Sequence, residues 1–326
     1  MQAPDLEQLE QATEEIYPYM SPSSQLQWPL LSERCGCRVW VKHENHNPTG
    51  AFKVRGGLLY IGRLVRREPN VKGVVTATRG NHGLSIAFAA ARHNLPCVVV
   101  VPEGNNPEKN LAIKALGAEL VIHGRDFDEA IPHSHALADR HGFHRLPSFH
   151  EDLVCGVASY SMEFLKARPE LERVYVSIGL GSGVCGMICA RNALGMNTEI
   201  IGVSADGADC YARSFAAGRC VSTPSADTLA DGMAVREPNP EALALMLDNL
   251  ARVVTVTESE IMQAMAHYFT DTHNVAEGAG AAPLAALLHE GAPSPEAAIG
   301  LVLSGGNAER TLYGQVLGGY TAGTRR

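Results

Sequence analysis

The sequence has no run of lysine and arginine longer than a pair such as Arg66-Arg67, and its formal net charge is −8. Nucleic acid and anionic membrane surfaces therefore find no general attraction here, and neither is expected as a partner. No apolar stretch approaches the roughly 20 residues that cross a bilayer. The first fifteen residues are polar and acidic with no apolar core, unlike a signal or transit peptide, so a cytoplasmic protein is expected. Internal repeats, low-complexity tracts and long linkers are absent from the sequence as well. Zinc spacings are missing: Cys35/Cys37 and Cys185/Cys189 do not match a structural site. The eight cysteines fall mostly inside apolar segments, as buried thiols of a reducing compartment do. His43 and His46 in HENH lack the second helical histidine of a zinc protease, and Asn47-Pro48 reads as a loop.

What is present is a chain of 326 residues, 45% hydrophobic and 19% charged, long enough for two lobes with a cleft between them. Val39–Glu44 alternates like a strand, a turn-rich loop follows, and apolar spacing predicts a helix over Ala51–Arg67. Strands over Gly73–Thr78, Cys97–Val101 and Glu119–His123 then alternate with helices over Gly83–Asn94, Pro107–Leu116 and Phe127–Arg140. Pro132 is expected to kink or restart the last of these. Strand Arg173–Ile178, helix Gly183–Ala193 and strand Glu199–Ser204 continue the pattern. A capping box at Thr257-x-x-Glu260, a helix near Ala279–His289 and a strand over Ile299–Leu303 end it. Such alternation predicts an α/β fold with open, mostly parallel sheets flanked by helices.

Three segments carry chemistry. In Asn47-Pro-Thr-Gly-Ala-Phe-Lys53-Val-Arg-Gly, a lysine opens an apolar helix, where desolvation and the helix dipole both favour a neutral, nucleophilic amine; a surface lysine at a helix start is the plainer alternative. In Ser177-Ile-Gly179-Leu-Gly181-Ser-Gly183-Val-Cys-Gly186, glycines between a strand and a helix let backbone amides approach a phosphate. The same residues contain a G-x-G-x-x-G, from Gly181 to Gly186, with Asp206 after the next strand. That is the fingerprint of a dinucleotide-binding oxidoreductase, so a nicotinamide enzyme stays open at this point. The third segment, Ser304-Gly-Gly-Asn307, follows an apolar strand, where ligands bind in open sheets.

Taken together with Arg79-Gly-Asn-His-Gly and Ala230-Asp-Gly232, these motifs resemble the threonine dehydratase and serine racemase branch of the fold-type-II pyridoxal phosphate enzymes, from Ser21-Pro22 to Asn307. The resemblance implies a two-lobed fold like that of the tryptophan synthase β chain, with residues 1–76 and 149–326 forming a large cofactor-binding domain and 77–148 a small one. It implies pyridoxal 5′-phosphate held as an imine on Lys53, which also shuttles the substrate's α-proton. Phe52 would lie against the ring, Asn81 would bond the 3′-oxygen, and Gly179, Leu180, Gly181, Ser182 and Gly183 would hold the phosphate. Gly232 would cover the other ring face, Ser304 would face the pyridine nitrogen, and Glu277 matches an acidic position nearby. Thr78, Arg79, Gly80, Asn81 and His82 resemble the grip on the substrate.

The activity implied is a dehydratase, or ammonia-lyase, that removes water from a β-hydroxy amino acid such as threonine or serine to give a 2-oxo acid and ammonia. Hydroxyaspartate, phenylserine and hydroxyectoine-derived amino acids are alternative substrates, and the HENHNPTGAFKVRG and TRGNHG wording is similar to the last type. A racemase is a further alternative, but Arg79 stands where the branch's racemases carry a second-face serine, and a permanently protonated guanidinium is a poor acid or base. Arg79 is read either as contacting an acidic or polar group on the substrate's β-side or as a salt bridge to the adjacent lobe. Ser204 and Cys210 replace the acidic ligands of metal-activated members, leaving Asp206 and Asp209, so no metal is expected. A twofold homodimer is expected as the commonest assembly.

Overall fold

The computed structural model describes residues 3–319. Its elements begin with α1 (Leu6–Ile16), β1 (Gln25–Gln27), α2 (Pro29–Cys35), β2 (Arg38–His43) and α3 (Lys53–Arg67). They continue with β3 (Val74–Ala77), α4 (Asn81–Arg92), β4 (Cys97–Val101), α5 (Pro107–Ala115), β5 (Glu119–Ile122), α6 (Phe127–His141), β6 (His144–Arg145) and α7 (Glu151–Ala167). Next come β7 (Arg173–Ser177), α8 (Ser182–Ala193), β8 (Glu199–Ala205), α9 (Cys210–Ala217) and α10 (Pro240–Asn249). The chain ends with β9 (Arg252–Val256), α11 (Glu258–Thr272), α12 (Gly278–Glu290), β10 (Ala298–Leu303) and α13 (Arg310–Gly319).

Two sheets form, a six-stranded one ordered β1-β2-β10-β7-β8-β9 and a four-stranded one ordered β5-β4-β3-β6. Every pairing is parallel except β1 with β2. Helices cover both faces, so the central strands have no solvent side. The run CVVVV of β4 and the run AIGLVL of β10 are buried at every position, as parallel strands are. The smaller sheet starts at Val74, so the boundary expected at residue 77 falls on the last residue of its first strand. No helix of the described residues is long and apolar enough to cross a membrane.

Residues 151–167, to which the sequence reading assigned no element, form α7, which is buried almost all round; a helix without a polar face loses its 3.6-residue pattern. The restart expected at Pro132 does not occur. α6 runs through it, because a proline in the second turn removes only one hydrogen bond from a helix anchored by the Asp126 N-cap. The capping box at Thr257 forms as read, its hydroxyl accepting from Glu260 N and Glu260 reaching back to the cap.

Helices α3 and α7 touch through glycine. A Cβ added to Gly156 would stand 2.5 Å from the Arg55 carbonyl oxygen. That close approach lets Arg55, fully buried, reach the carboxylates on both sides of α3. Its Nε and Nη2 donate to Glu44 at 2.7 and 2.9 Å, and its Nη1 donates to Glu163 at 2.6 Å and to Ser159 Oγ at 2.9 Å. Lys42 pairs with Glu163 from the other side and donates to the Ser23 carbonyl at 2.8 Å. Burial alone would raise the Glu163 pKa, but Arg55 and Lys42 pull it below the usual range. Asn47 Nδ2 donates to Glu44 Oε2 at 2.6 Å, which ties the loop before Lys53 into the same network. Removing one partner of such a group strands a buried charge, so Arg55→Ala is expected to cost about 3–5 kcal/mol in urea denaturation. Breaking the exposed Arg145–Asp139 pair should leave the midpoint essentially unchanged.

Candidate active site

The pairing of β2 with β10 sets His43 beside Leu303, so the loops leaving both strands lie together at the sheet's carboxyl edge. They are laced by the bridge between Ala51 and Gly305, by Phe52 N donating to Ser304 O at 2.9 Å, and by Gly306 N donating to Gly50 O at 2.9 Å. Gly50 has φ +69° and leaves room for Asn307, whose Oδ1 would lie 2.4 Å from a Cβ there. Asn307 Nδ2 donates to Thr49 O at 2.8 Å and to Asn81 Oδ1 at 2.9 Å. Lys53 is thereby held as the first residue of α3, its Nζ 5.0 Å from the centre of the Phe52 ring. Burial lowers its pKa from 10.5 to about 8, with the Glu277 carboxylate opposing. The dipole of α3 acts in the same direction as burial.

The second wall is the loop between β3 and α4. Thr78 Oγ1 accepts from Gly80 N at 2.9 Å and Gly83 N at 3.3 Å, so it shapes the loop. Gly80, at φ +151°, has Lys109 Cδ where a Cβ would come within 2.4 Å. Asn81 Nδ2 donates to Glu277 Oε1 at 2.5 Å, and Glu277 Oε2 lies 3.2 Å from Lys109 Nζ. Lys109 also stands 3.4 Å from Asp231. Burial pulls the Lys109 pKa down, but Glu277 and Asp231 outweigh it and keep the ammonium charged. His82 is buried with Nε2 lacking a partner, and burial together with Lys53 lowers its pKa from 6.5 to about 3. Its imidazole is neutral throughout the physiological range.

The third wall is the glycine loop between β7 and α8. Gly181, at φ +105°, caps α8; a Cβ there would come within 2.7 Å of Ala242 Cβ. A Cβ on Gly179 would strike the Gly232 carbonyl oxygen at 2.1 Å. The Leu180 carbonyl is fixed by the Tyr211 hydroxyl at 2.9 Å, and the Gly183 carbonyl by the Tyr160 hydroxyl at 3.2 Å. The first amides of α8 have no acceptor within their own helix, so they are free to receive an anion. Phe52 joins this wall to the first, since its ring lies 3.5 Å from a Cβ built on Gly183 and edge-on to Tyr160.

These walls form a cleft lined by Lys53, Thr78, Arg79, Gly80, Asn81, His82, Leu180 and Gly232. Phe52, Gly179, Gly183, Glu277 and Ser304 stand directly behind that lining through the contacts above, and Gly181 and Ser182 form the cap and first turn of α8. The sequence reading missed Lys109 and Asp231 as lining residues. Nothing marks a lysine in the first turn of a helix as buried, whereas Asp231 sat inside a motif read only for its glycine. Asp206, which a dinucleotide reading needs at the ligand, is exposed in the turn after β8 and lies outside the cleft lining. A buried amine of low pKa, a glycine cradle that side chains would fill and amides for an anion fit an aldehyde carrying a phosphate.

Comparison with known proteins agrees. The model of the family described as pyridoxal-phosphate dependent enzyme matches residues 17–305. The chain is 36% identical over 280 residues to an L-threonine ammonia-lyase of Geobacter sulfurreducens, covering 86% of this chain and 69% of that one. It is 27% identical to an L-threo-3-hydroxyaspartate ammonia-lyase of Saccharomyces cerevisiae over 94% of both. It spans about half the length of the biosynthetic threonine dehydratases it matches. Among solved structures, maize serine racemase superposes with a TM-score of 0.90 at 26% identity, covering 96% of this chain and 97% of that one.

Two outcomes follow from the geometry. The rate at which Lys53 in the apoprotein reacts with pyridoxal phosphate, followed by absorbance, should rise with pH to a half-point near 8; a half-point near 10.5 would mean an ordinary solvated lysine. Gly179→Val should abolish retention of the cofactor on gel filtration, because its side chain meets a carbonyl that cannot withdraw.

Proposed function

The chain belongs to the pyridoxal-phosphate dependent enzymes, and from that premise we propose that it is a dehydratase of β-hydroxy amino acids, releasing a 2-oxo acid and ammonia. The observation that carries this is the Lys53 amine, lowered to about 8 by burial and opening onto a cleft whose far wall is an anion-binding helix start. The ammonia-lyase names of its relatives support the same chemistry.

When bound, the cofactor supplies an electron sink for negative charge at the substrate's α-carbon. Lys53 would hold the aldehyde covalently, and its Nζ would accept the α-proton. The amides of Gly179 to Gly183 hold the phosphate. Phe52, Gly232, Asn81 and Ser304 would hold the ring. Glu277 acts through Asn81, which it orients at 2.5 Å. The loop from Thr78 to His82 receives the substrate, with helix-start amides for its α-carboxylate. The neutral His82 can accept or donate a hydrogen bond there but carries no proton to give as an acid. The leaving β-hydroxyl departs as water, and the resulting enamine hydrolyses to the 2-oxo acid.

Racemisation needs a proton donor on the face opposite Lys53, and a guanidinium does not titrate in water. Elimination is therefore the favoured outcome. We further read the enzyme as a cytoplasmic homodimer. Seven buried free thiols are in keeping with a reducing compartment, and Leu26 and Leu30, 41% and 50% exposed around the edge strand β1, offer apolar surface for a second copy.

Borohydride treatment of the holoenzyme should fix the cofactor on Lys53, as read by peptide mass spectrometry, and Lys53→Ala should lose at least about a thousandfold in 2-oxo acid release. Finding position 53 unmodified at saturating cofactor would overturn the assignment.

A further inference from the structure

We propose that Arg79 selects substrates whose β-carbon carries a carboxylate, so that 3-hydroxy dicarboxylic amino acids are turned over in preference to threonine or serine. This rests on the dehydratase reading above and deepens it to a substrate class.

Arg79 lines the cleft together with Lys53, and it also lines an adjoining pocket that Lys53 does not reach. Its side chain thus borders both spaces and is one-third exposed. A substrate held by its amino group at the Lys53 end directs its side chain toward that position. The guanidinium is under-used by the protein. Its Nε is buried with no hydrogen-bond acceptor, and its nearest carboxylate, Asp231, is 3.8 Å away from Nη2. Asp231 lies closer to Lys109, at 3.4 Å. The salt bridge to the facing wall is thus too long to satisfy the fork of donors, and the group is left ready for an incoming acceptor.

The character of that acceptor follows from the surrounding charges. The cleft presents the cations Arg79 and Lys109 against the carboxylates Asp231 and Glu277, and Glu277 is engaged by Lys109 and Asn81. A cationic side chain, as in a β-hydroxy diamino acid, would meet two fixed positive charges. The methyl group of threonine would cover the one-third-exposed guanidinium without pairing it, which is the costly outcome for a polar group. A carboxylate matches the planar fork with two parallel hydrogen bonds. Of the carboxylates lining the adjoining pocket, Asp128 accepts from Arg236 Nε at 2.7 Å and Asp126 lies 3.4 Å from the same guanidinium, while Asp227 and Glu237 also line it. The reaction balances as for any member of the class. Water leaves across the Cα–Cβ bond and is returned on hydrolysis of the enamine, so a 3-hydroxy dicarboxylic amino acid yields a 2-oxo dicarboxylate and ammonia.

The test compares holoenzyme, Arg79→Gln and Arg79→Lys on 3-hydroxyaspartate, threonine and serine. Binding is measured independently with aspartate and 2-aminobutyrate, which lack the leaving hydroxyl, through the change in cofactor absorbance. The native enzyme should favour 3-hydroxyaspartate in kcat/KM. Arg79→Gln should lower the ratio of 3-hydroxyaspartate to threonine by roughly ten- to hundredfold and weaken aspartate binding by a similar factor, with Arg79→Lys between the two. A native preference for threonine, or an equal loss on both substrates, overturns the proposal. Should no substrate release a 2-oxo acid while aspartate still binds more tightly than 2-aminobutyrate in an Arg79-dependent way, the dehydratase reading fails and the role of Arg79 stands.

Discussion

The position of Lys53 depends on a charge two residues further along the same helix. Arg55, inaccessible to solvent, is clamped between Glu44 and Glu163, and Lys42 balances the second carboxylate. Two cations and two anions make a neutral interior cluster, which a low-dielectric core tolerates only if each member is hydrogen-bonded. Here each is. The cluster joins the end of β2, the start of α3 and the middle of α7, and through Asn47 it reaches the loop that delivers the lysine. Because its charge pairs are directional, the cluster ties α3 to β2 and α7 at specific atoms.

Around that anchor the parallel topology does the gathering. β2, β10 and β7 are neighbours in the larger sheet, so the lysine loop, the Ser304 turn and the glycine loop all emerge at one edge, although they lie far apart in sequence. The smaller sheet contributes the Thr78–His82 loop, also from the carboxyl end of a strand. Burial in the resulting cleft changes the chemistry of the groups enclosed. The Lys53 amine becomes easier to deprotonate and the His82 imidazole harder to protonate, both because a desolvated cation is costly. Lys109, equally buried, goes the other way, since two carboxylates are close enough to outweigh the same cost.

Much of the fold was legible because its signals are local. Amphipathic α3, the Asn106-Pro107 start of α5, the Thr257 capping box and the apolar strand β4 all declare themselves within a few residues. α7 does not, since it is enclosed by α1, α3 and α8 and needs no polar face; its glycine and serines reflect close packing against neighbours that sequence order does not reveal. Pro132 does not restart the helix, because anchoring at Asp126 compensates for one missing donor. At the site, the motif segments gather around one cleft, whereas Lys109 and Asp231 were missed for opposite reasons: one had no motif, and the other was overshadowed by the glycine beside it.

The sequence by itself determined the order of the segments, the helix starts that present amides to an anion, and the glycines without which the chain could not pass Lys109, Gly232 or Ala242. Tertiary structure alone decided the ionisation of Lys53, His82 and Lys109, the sharing of Glu277 between Asn81 and Lys109, and the unsatisfied Nε of Arg79. Backbone conformation is set largely by adjacent residues, so it is written in short stretches of sequence. Protonation and pairing are set by desolvation and by charges a few ångströms away in space, and those neighbours come together only when the two sheets close on a common cleft.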